Sequence, residues 1–86
     1  MIAGEAFITP HAVAQFQARI PGFAQATYEQ ALGVIIRALR DDARSVRPTQ
    51  NGKGICVRVR GRVNFRAVIL PSDGKPAVVT ILRSGK

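Results

Sequence analysis

Residue types that carry catalytic chemistry are scarce in this chain of 86 residues. It has one cysteine, Cys56, so a disulfide within the chain is excluded, and we expect a reducing, cytoplasmic location. It has one histidine, His11, and these two residues are too few for the usual zinc sites. Tryptophan is absent, and Phe65 has the pattern of a core residue, so nothing in the sequence indicates a surface on which bases stack.

Carboxylates are scarce as well, and they are scattered along the chain. Metal-dependent nucleases gather such groups around their ions. Here only Asp41 and Asp42 are neighbours, and adjacent residues at a helix end point in different directions. Residues 51–54 lack the spacing of a phosphate-binding loop. We therefore expect no metal and no other cofactor.

Long apolar runs are also missing. The longest apolar run is no longer than residues 67–70, whereas roughly 18 apolar residues are needed to span a membrane. The N-terminus has no basic start followed by an apolar stretch, so we expect no signal peptide and no membrane partner.

What the chain has in excess is positive charge, and the excess lies in its second half. Thirteen lysines and arginines face five carboxylates, which gives a net charge of +8 at pH 7. Residues 1–43 hold three cations against four carboxylates, whereas residues 44–86 hold ten cations against Asp73 alone. On charge alone a polyanion is the natural partner, whether RNA or another nucleic acid, an acidic protein or an anionic membrane surface. The alternative is an arginine-rich surface that contacts only solvent.

The first half of the chain predicts two helices. Thr9 and Pro10 are typical of the N-cap and first position of a helix that continues to Ile20. Thr27, with Gln30 three residues later, predicts a capping box at the start of the second helix. Apolar residues then recur at helical spacing, and we expect this stripe to face a sheet: Ala31, Leu32, Ile35, Ile36 and Leu39.

The second half predicts strands. Residues 45–54 contain proline, asparagine and glycine, which favours a loop. After Gly54 the apolar residues alternate over residues 55–60 and 63–70, residues 71–76 have the composition of a turn, and residues 77–83 are rich in β-branched side chains. Placing the apolar sets of the first two strands on one face predicts three pairs: Val59 with Val63, Val57 with Phe65, and Ile55 with Ala67.

This register gives the predicted sheet two different faces. The face opposite the apolar one then collects polar side chains, namely Arg58, Arg60, Arg62, Asn64 and Arg66. Pairing Phe65 with Ile81 in the second hairpin would set Arg66 opposite Thr80 on that same face. We therefore predict one α+β domain over residues 1–86, with two N-terminal helices on one face of a three-stranded, or four-stranded, antiparallel sheet.

His11 and the arginine face are sufficient parts for RNA cleavage without a metal. That reaction needs a group that removes the 2′-hydroxyl proton, a donor for the leaving oxygen, and cations for the phosphorane. The competing interpretation makes His11 a solvent-exposed helix residue, and makes Arg58, Arg60 and Arg62 the charges that keep an exposed strand from pairing with another chain.

The stretch Ile8-Thr9-Pro10-His11-Ala12, followed by Phe16 and Arg19, resembles the "HA…R" start of small proteins related to the RelE and BrnT toxins. The last strands, residues 66–69 and 78–82, also resemble those of this family, which belongs to the barnase–EndoU–colicin–RelE group of ribonuclease folds. The resemblance implies a RelE-like fold, a metal-free ribonuclease that acts as a toxin, and an acidic antitoxin as partner. The implied active-site residues are His11, Arg19, Arg66 and Thr80.

Two functions from different classes follow from these observations. The first is a toxin-like ribonuclease, with His11 as acid or base, Arg19 and Arg66 stabilising phosphate charge, and Thr80 positioning it. The RNA backbone would then be held by further cations: Lys53, Arg58, Arg60 and Arg62. The second is a non-catalytic basic module, such as a protein of a phage or mobile element that binds nucleic acid or inhibits a nucleic-acid machine of its host.

Overall fold

The computed structural model describes residues 6–83, and it confirms the α+β class with two helices and one sheet. The helices are α1 (Pro10–Arg19) and α2 (Tyr28–Asp41). The strands are β1 (Phe7–Ile8), β2 (Ala43–Pro48), β3 (Ile55–Val59), β4 (Phe65–Ser72) and β5 (Lys75–Arg83). Glu5 and Lys86, which enter the charge count of the two halves, lie outside the described residues.

The sheet has five strands in the order β1-β5-β4-β3-β2, and it is mixed. The prediction of a three- or four-stranded antiparallel sheet was wrong in both respects, because β1 pairs with β5 in parallel and β2 pairs with β3 where a loop was predicted. Five of the six β2 residues are exposed, and the sixth is half-buried. A strand this exposed has no alternating apolar pattern, which is why its composition indicated a loop.

Both helices begin where the sequence predicts. The Thr9 hydroxyl oxygen accepts from the Ala12 amide at 3.2 Å, and Pro10 occupies the first turn. At α2 the capping box is complete, since the Thr27 oxygen accepts from the Gln30 amide at 3.1 Å and the Gln30 side chain accepts from the Thr27 amide at 3.0 Å. These bonds satisfy amides that have no partner within the helix.

One face of the sheet packs against both helices and forms the core. Phe16 of α1 lies at its centre, with ring centroids 4.8 Å from Phe23 and 5.4 Å from Phe65. From α2 the buried residues are Ala31, Ile35, Ala38 and Leu39. The expectation that Ile36 faces the sheet was wrong, since its side chain is 39% exposed. It follows Ile35 by roughly 100° around the helix and lies outside the buried stripe.

The registers of both hairpins differ from the predicted ones by two residues. In the first hairpin Val59 pairs with Phe65 and Val57 with Ala67, because the connection spans residues 60–64 rather than three residues. In the second, Ala67 pairs with Ile81 and a bulge follows Val68, so Arg66 lies opposite Leu82. A shift of two residues keeps the side chains of β3 and β4 on their predicted faces. Arg60, Arg62 and Asn64, which were predicted on the face opposite the core, instead lie in the connection between these strands, and the bulge reverses the facing of β5 before Thr80. The facing was therefore predicted correctly within β3 and β4, although the partners were not.

The hairpin between β4 and β5 is tight. Asp73 and Gly74 both have positive φ, 53° and 79°, as two-residue turns with the right twist require. Both strands run further into residues 71–76 than their turn-rich composition suggests. None of the helices within residues 6–83 is long and apolar enough to cross a membrane.

Candidate nucleic-acid interface

The face of the sheet opposite the core carries the residues that alternate with buried ones. We call this surface the open face, because the two described helices both pack on the other side. On β3 and β4 the buried residues include Val57 and Ala67, so Arg58 and Arg66 point away from the core. By the same alternation the open face comprises these residues: Phe7, Ser45, Arg47, Cys56, Arg58, Arg66, Val68, Leu70, Ala77, Thr80 and Leu82.

Arg58 and Arg66 are direct partners across the β3–β4 ladder. Both are exposed, and residues directly opposite each other have Cβ atoms about 4.5–5.5 Å apart. Ser45 extends the row on one side and Leu82 on the other. The next row along the sheet runs Arg47, Cys56, Val68, Thr80. Two arginine side chains thus extend from directly opposing positions, with Ser45, Thr80 and Arg47 on neighbouring positions of the same face.

No carboxylate neutralises these cations among residues 6–83, where the one ion pair joins the Arg40 Nε atom to an Asp41 oxygen at 3.4 Å on α2. The Arg66 guanidinium has a long contact of 3.5 Å to the Arg83 carbonyl. Lys53 is exposed in the β2–β3 loop, where its amide donates to the Asn51 side-chain oxygen at 3.0 Å. The open face is therefore a cationic surface whose charges are free to meet an anion.

Arg60 and Arg62 follow the end of β3 and do not continue its alternation. The Arg60 amide donates to the Asp42 carbonyl at 3.1 Å, and its own carbonyl accepts from Arg44 Nε at 3.0 Å. Arg62 lies on the helix side, where it lines a cleft of about 620 Å³ together with Phe23 of the α1–α2 connection and residues of α2 such as Val34. The expectation that Arg62 shares the face of Arg58 and Arg66 was wrong, because the strand ends at Val59.

Arg19 and Gln15 of α1 bind the backbone of β5. Since β1 pairs only with Ala77 and Val78, the amide and carbonyl of Ile81 have no strand on that side. The Gln15 side-chain oxygen accepts from the Ile81 amide at 2.9 Å, and the Arg19 guanidinium donates to the Ile81 carbonyl at 3.0 Å. The polar side of α1 thus takes the place of a sixth strand, and it protects this sheet edge from pairing with another chain.

The four residues that the toxin resemblance implies are divided between two places. Arg66 and Thr80 are diagonal neighbours on the open face, and Arg19 reaches the backbone one residue beyond Thr80. His11 is exposed at the other end of α1, eight residues or roughly 12 Å of helix rise from Arg19. No hydrogen bond in the described part of the chain joins any two of the four.

Sequence reasoning missed the open-face residues of β1 and β2. Ser45 and Arg47 lie on β2, which has no apolar alternation to reveal it. Phe7 lies on β1, a strand of two residues that is too short for any period. Both residues of β1 are apolar, so the sequence shows no alternation there, and only the structure reveals that Phe7 is exposed and Ile8 buried.

No protein-family model, curated protein or solved structure matches this chain. Residues 6–83 also contain no group of three or more His, Cys, Asp or Glu side chains placed to hold a metal ion.

Proposed function

We propose that this protein binds nucleic acid through the open face, with Arg58 and Arg66 as its central phosphate contacts. The observation that supports this most directly is that two exposed arginines oppose each other with no carboxylate between them. Like charges directly opposite on a sheet are unfavourable. A phosphate group would remove this repulsion, and guanidinium forks match its oxygens.

The rest of the molecule supports the same function. Residues 44–83 contain one carboxylate side chain, Asp73, against all of the cations in that range. These cations lie on the sheet and its loops. The α2 helix, in contrast, carries carboxylates of its own, including Asp41, which pairs with Arg40. A polyanion is attracted to the side of the molecule where positive charge is unbalanced.

The salt dependence of RNA binding tests this proposal. Wild-type protein is expected to bind RNA with a log–log slope of about −3 to −5, as contacts with a few phosphates require. The double variant Arg58→Ala/Arg66→Ala should bind more weakly and flatten the slope by about 1 to 2. The matched control Arg37→Ala/Arg40→Ala removes two charges from α2 and should leave the slope near its wild-type value. Binding that ignores salt, or no binding at low salt, contradicts the proposal.

A toxin-like ribonuclease is the second candidate, and one observation favours it. Arg66 and Thr80 are diagonal neighbours on the open face, with the Arg19 guanidinium one backbone residue away. This group has the cations that a phosphorane needs. His11 and Arg19 are separated by roughly 12 Å of helix rise, so a strand of RNA would have to extend along α1 to contact both.

RNA cleavage in EDTA separates the two functions. A ribonuclease of this kind would leave 2′,3′-cyclic phosphate ends, and His11→Ala would abolish the products while keeping RNA affinity. If wild-type protein leaves RNA intact with and without magnesium, the ribonuclease function is excluded and binding alone stands. A short acidic protein that binds the open face and competes with RNA would support an antitoxin partner.

A further inference from the structure

Phe7 is the most exposed of the large hydrophobic side chains described, at 64% of its surface. Its neighbour Ile8 is buried in the core at 6%, so the strand alternation turns Phe7 toward the open face. Its backbone is held in the sheet, because Phe7 pairs with Ala77 and the following Thr9 donates twice to the Val78 carbonyl, at 3.1 and 2.8 Å. An aromatic ring is thus displayed on a fixed strand at one side of the arginine-bearing surface.

The position of Phe7 relative to the arginines suits a chain of nucleotides. Phe7, Ala77 and Leu70 form one row across the sheet, and Arg66 lies four residues further along β4. A strand spacing of about 4.8 Å and a rise of about 3.3 Å per residue put Phe7 roughly 16 Å from Arg66. The surface between them is uncharged, with half-buried Val68 and Leu70 and the Thr80 hydroxyl.

We propose that Phe7 stacks on an unpaired base and that the open face therefore selects single-stranded over duplex nucleic acid. This inference rests on the proposed function, since Arg58 and Arg66 hold the backbone whose base reaches Phe7. Every base has a π-face, so stacking on an exposed ring is tolerant of sequence. A duplex keeps its bases stacked within the helix and offers only its phosphates and groove edges to such a surface.

A tryptophan at this position reports stacking directly. The chain contains no tryptophan, so Phe7→Trp introduces a single indole whose fluorescence responds to a stacked base. The matched control is Ile36→Trp, on the exposed side of α2. Titration with a single-stranded oligouridylate should quench the indole of Phe7→Trp and leave that of Ile36→Trp unchanged. A duplex of the same length should quench neither.

Affinity measurements give the second arm. Phe7→Ala should weaken binding of the single strand by about 5- to 150-fold, the range of one base–aromatic stack, and change duplex binding less than twofold. Phe7→Leu keeps apolar bulk without an aromatic face and should be as weak as Phe7→Ala, whereas Phe7→Tyr should restore binding. Circular dichroism and the melting temperature confirm that each variant is folded.

The outcomes separate this inference from the proposed function. If Phe7→Ala binds the single strand as tightly as wild type, with the same salt slope, stacking is wrong and phosphate binding by the open face stands. If wild type binds neither ligand at low salt, the proposed function fails and the inference fails with it. If the Phe7→Trp fluorescence changes with protein concentration alone, Phe7 lies in an interface between two copies of the chain. That result would overturn base stacking.

Discussion

The two faces of the sheet are formed by the same strands, but they differ in burial and in charge. On the covered face Val57, Val59, Phe65 and Ala67 are fully buried beneath the helices. On the open face the residues between them include Arg58 and Arg66, which are exposed and have no carboxylate partner within residues 6–83. The alternation of a strand thus separates stability from binding, residue by residue. Variants on one face should therefore act on the unfolding free energy and variants on the other on ligand affinity.

The phenylalanines show the same division. Phe16, Phe23 and Phe65 form one contacting group, with Phe16 and Phe65 edge to face at 86°. Phe7, on the opposite face, is mostly exposed. A chain this small buries little surface, so the placement of one aromatic side chain in solvent gives up a part of its available core. The base stacking proposed above would give this exposed ring a role outside the core.

The largest expected effect compares two phenylalanines on the two faces. Phe16→Ala should lower the free energy of unfolding by about 3–5 kcal/mol, because it leaves a cavity at the centre of the core. Phe7→Ala should change it by no more than about 0.5 kcal/mol, as for other surface positions. Urea unfolding of both variants measures the difference. Similar losses for the two would mean that Phe7 is covered in solution.

Two adjacent isoleucines of α2 sharpen the comparison on one helix. Ile35 is fully buried, and Ile36 is 39% exposed. Ile35→Ala should cost about 2–4 kcal/mol, a large part of the stability of a domain of this size. Ile36→Ala, the matched control, should cost less than about 1 kcal/mol. If both variants melt within a degree or two of wild type, the packing of α2 on the sheet is wrong.

How much of the fold the sequence predicts depends on how each element is stabilised. Both helices begin at residues that the sequence identifies, since caps such as Thr9 and Thr27 act through local bonds. The alternation of β3 and β4 places Arg58 and Arg66 on the correct face. The pairings were wrong because Gly61 indicates a turn after Val59 but does not fix its length, and because no local signal reveals a bulge such as the one after Val68.

The candidate site was predicted in part for the same reason. Its central arginines belong to strands whose apolar residues alternate clearly. The sequences of β1 and β2 have no such alternation, and these strands are recognised only by their pairing with a neighbouring strand. Phe7 and Arg47 were therefore missed. The role of Gln15 was also missed, since its bond joins residues 66 positions apart in the chain. Local patterns carry no information about such a contact.

The next effect concerns the edge where α1 meets the sheet. Gln15→Ala removes the acceptor of the Ile81 amide and should cost about 1–3 kcal/mol, because Ile81 is buried and its amide would lose its partner. Gln15→Glu retains an acceptor oxygen and should recover most of the loss. His11→Ala changes an exposed residue on the same side of α1 and should be close to neutral. Equal stability of Gln15→Ala and His11→Ala in urea would contradict this account of the edge.

The smallest expected effect on the free energy of unfolding comes from the open face, and here the interaction between two side chains is destabilising. Arg58 and Arg66 repel each other across the ladder, so the two side chains together should be less favourable than the sum of their separate contributions, by a few tenths of a kcal/mol. A double-mutant cycle of Arg58→Ala and Arg66→Ala isolates this coupling from the change in strand propensity. The coupling should be present at about 0.01 M salt, where the Debye length is about 30 Å, and absent at about 1 M, where the Debye length is about 3 Å.

A saturating single-stranded oligonucleotide at low salt should reverse the sign of this coupling, because one phosphate then bridges both guanidinium groups. A coupling that is unaffected by salt would show that the two groups point apart, and the open face would lose its central phosphate contact.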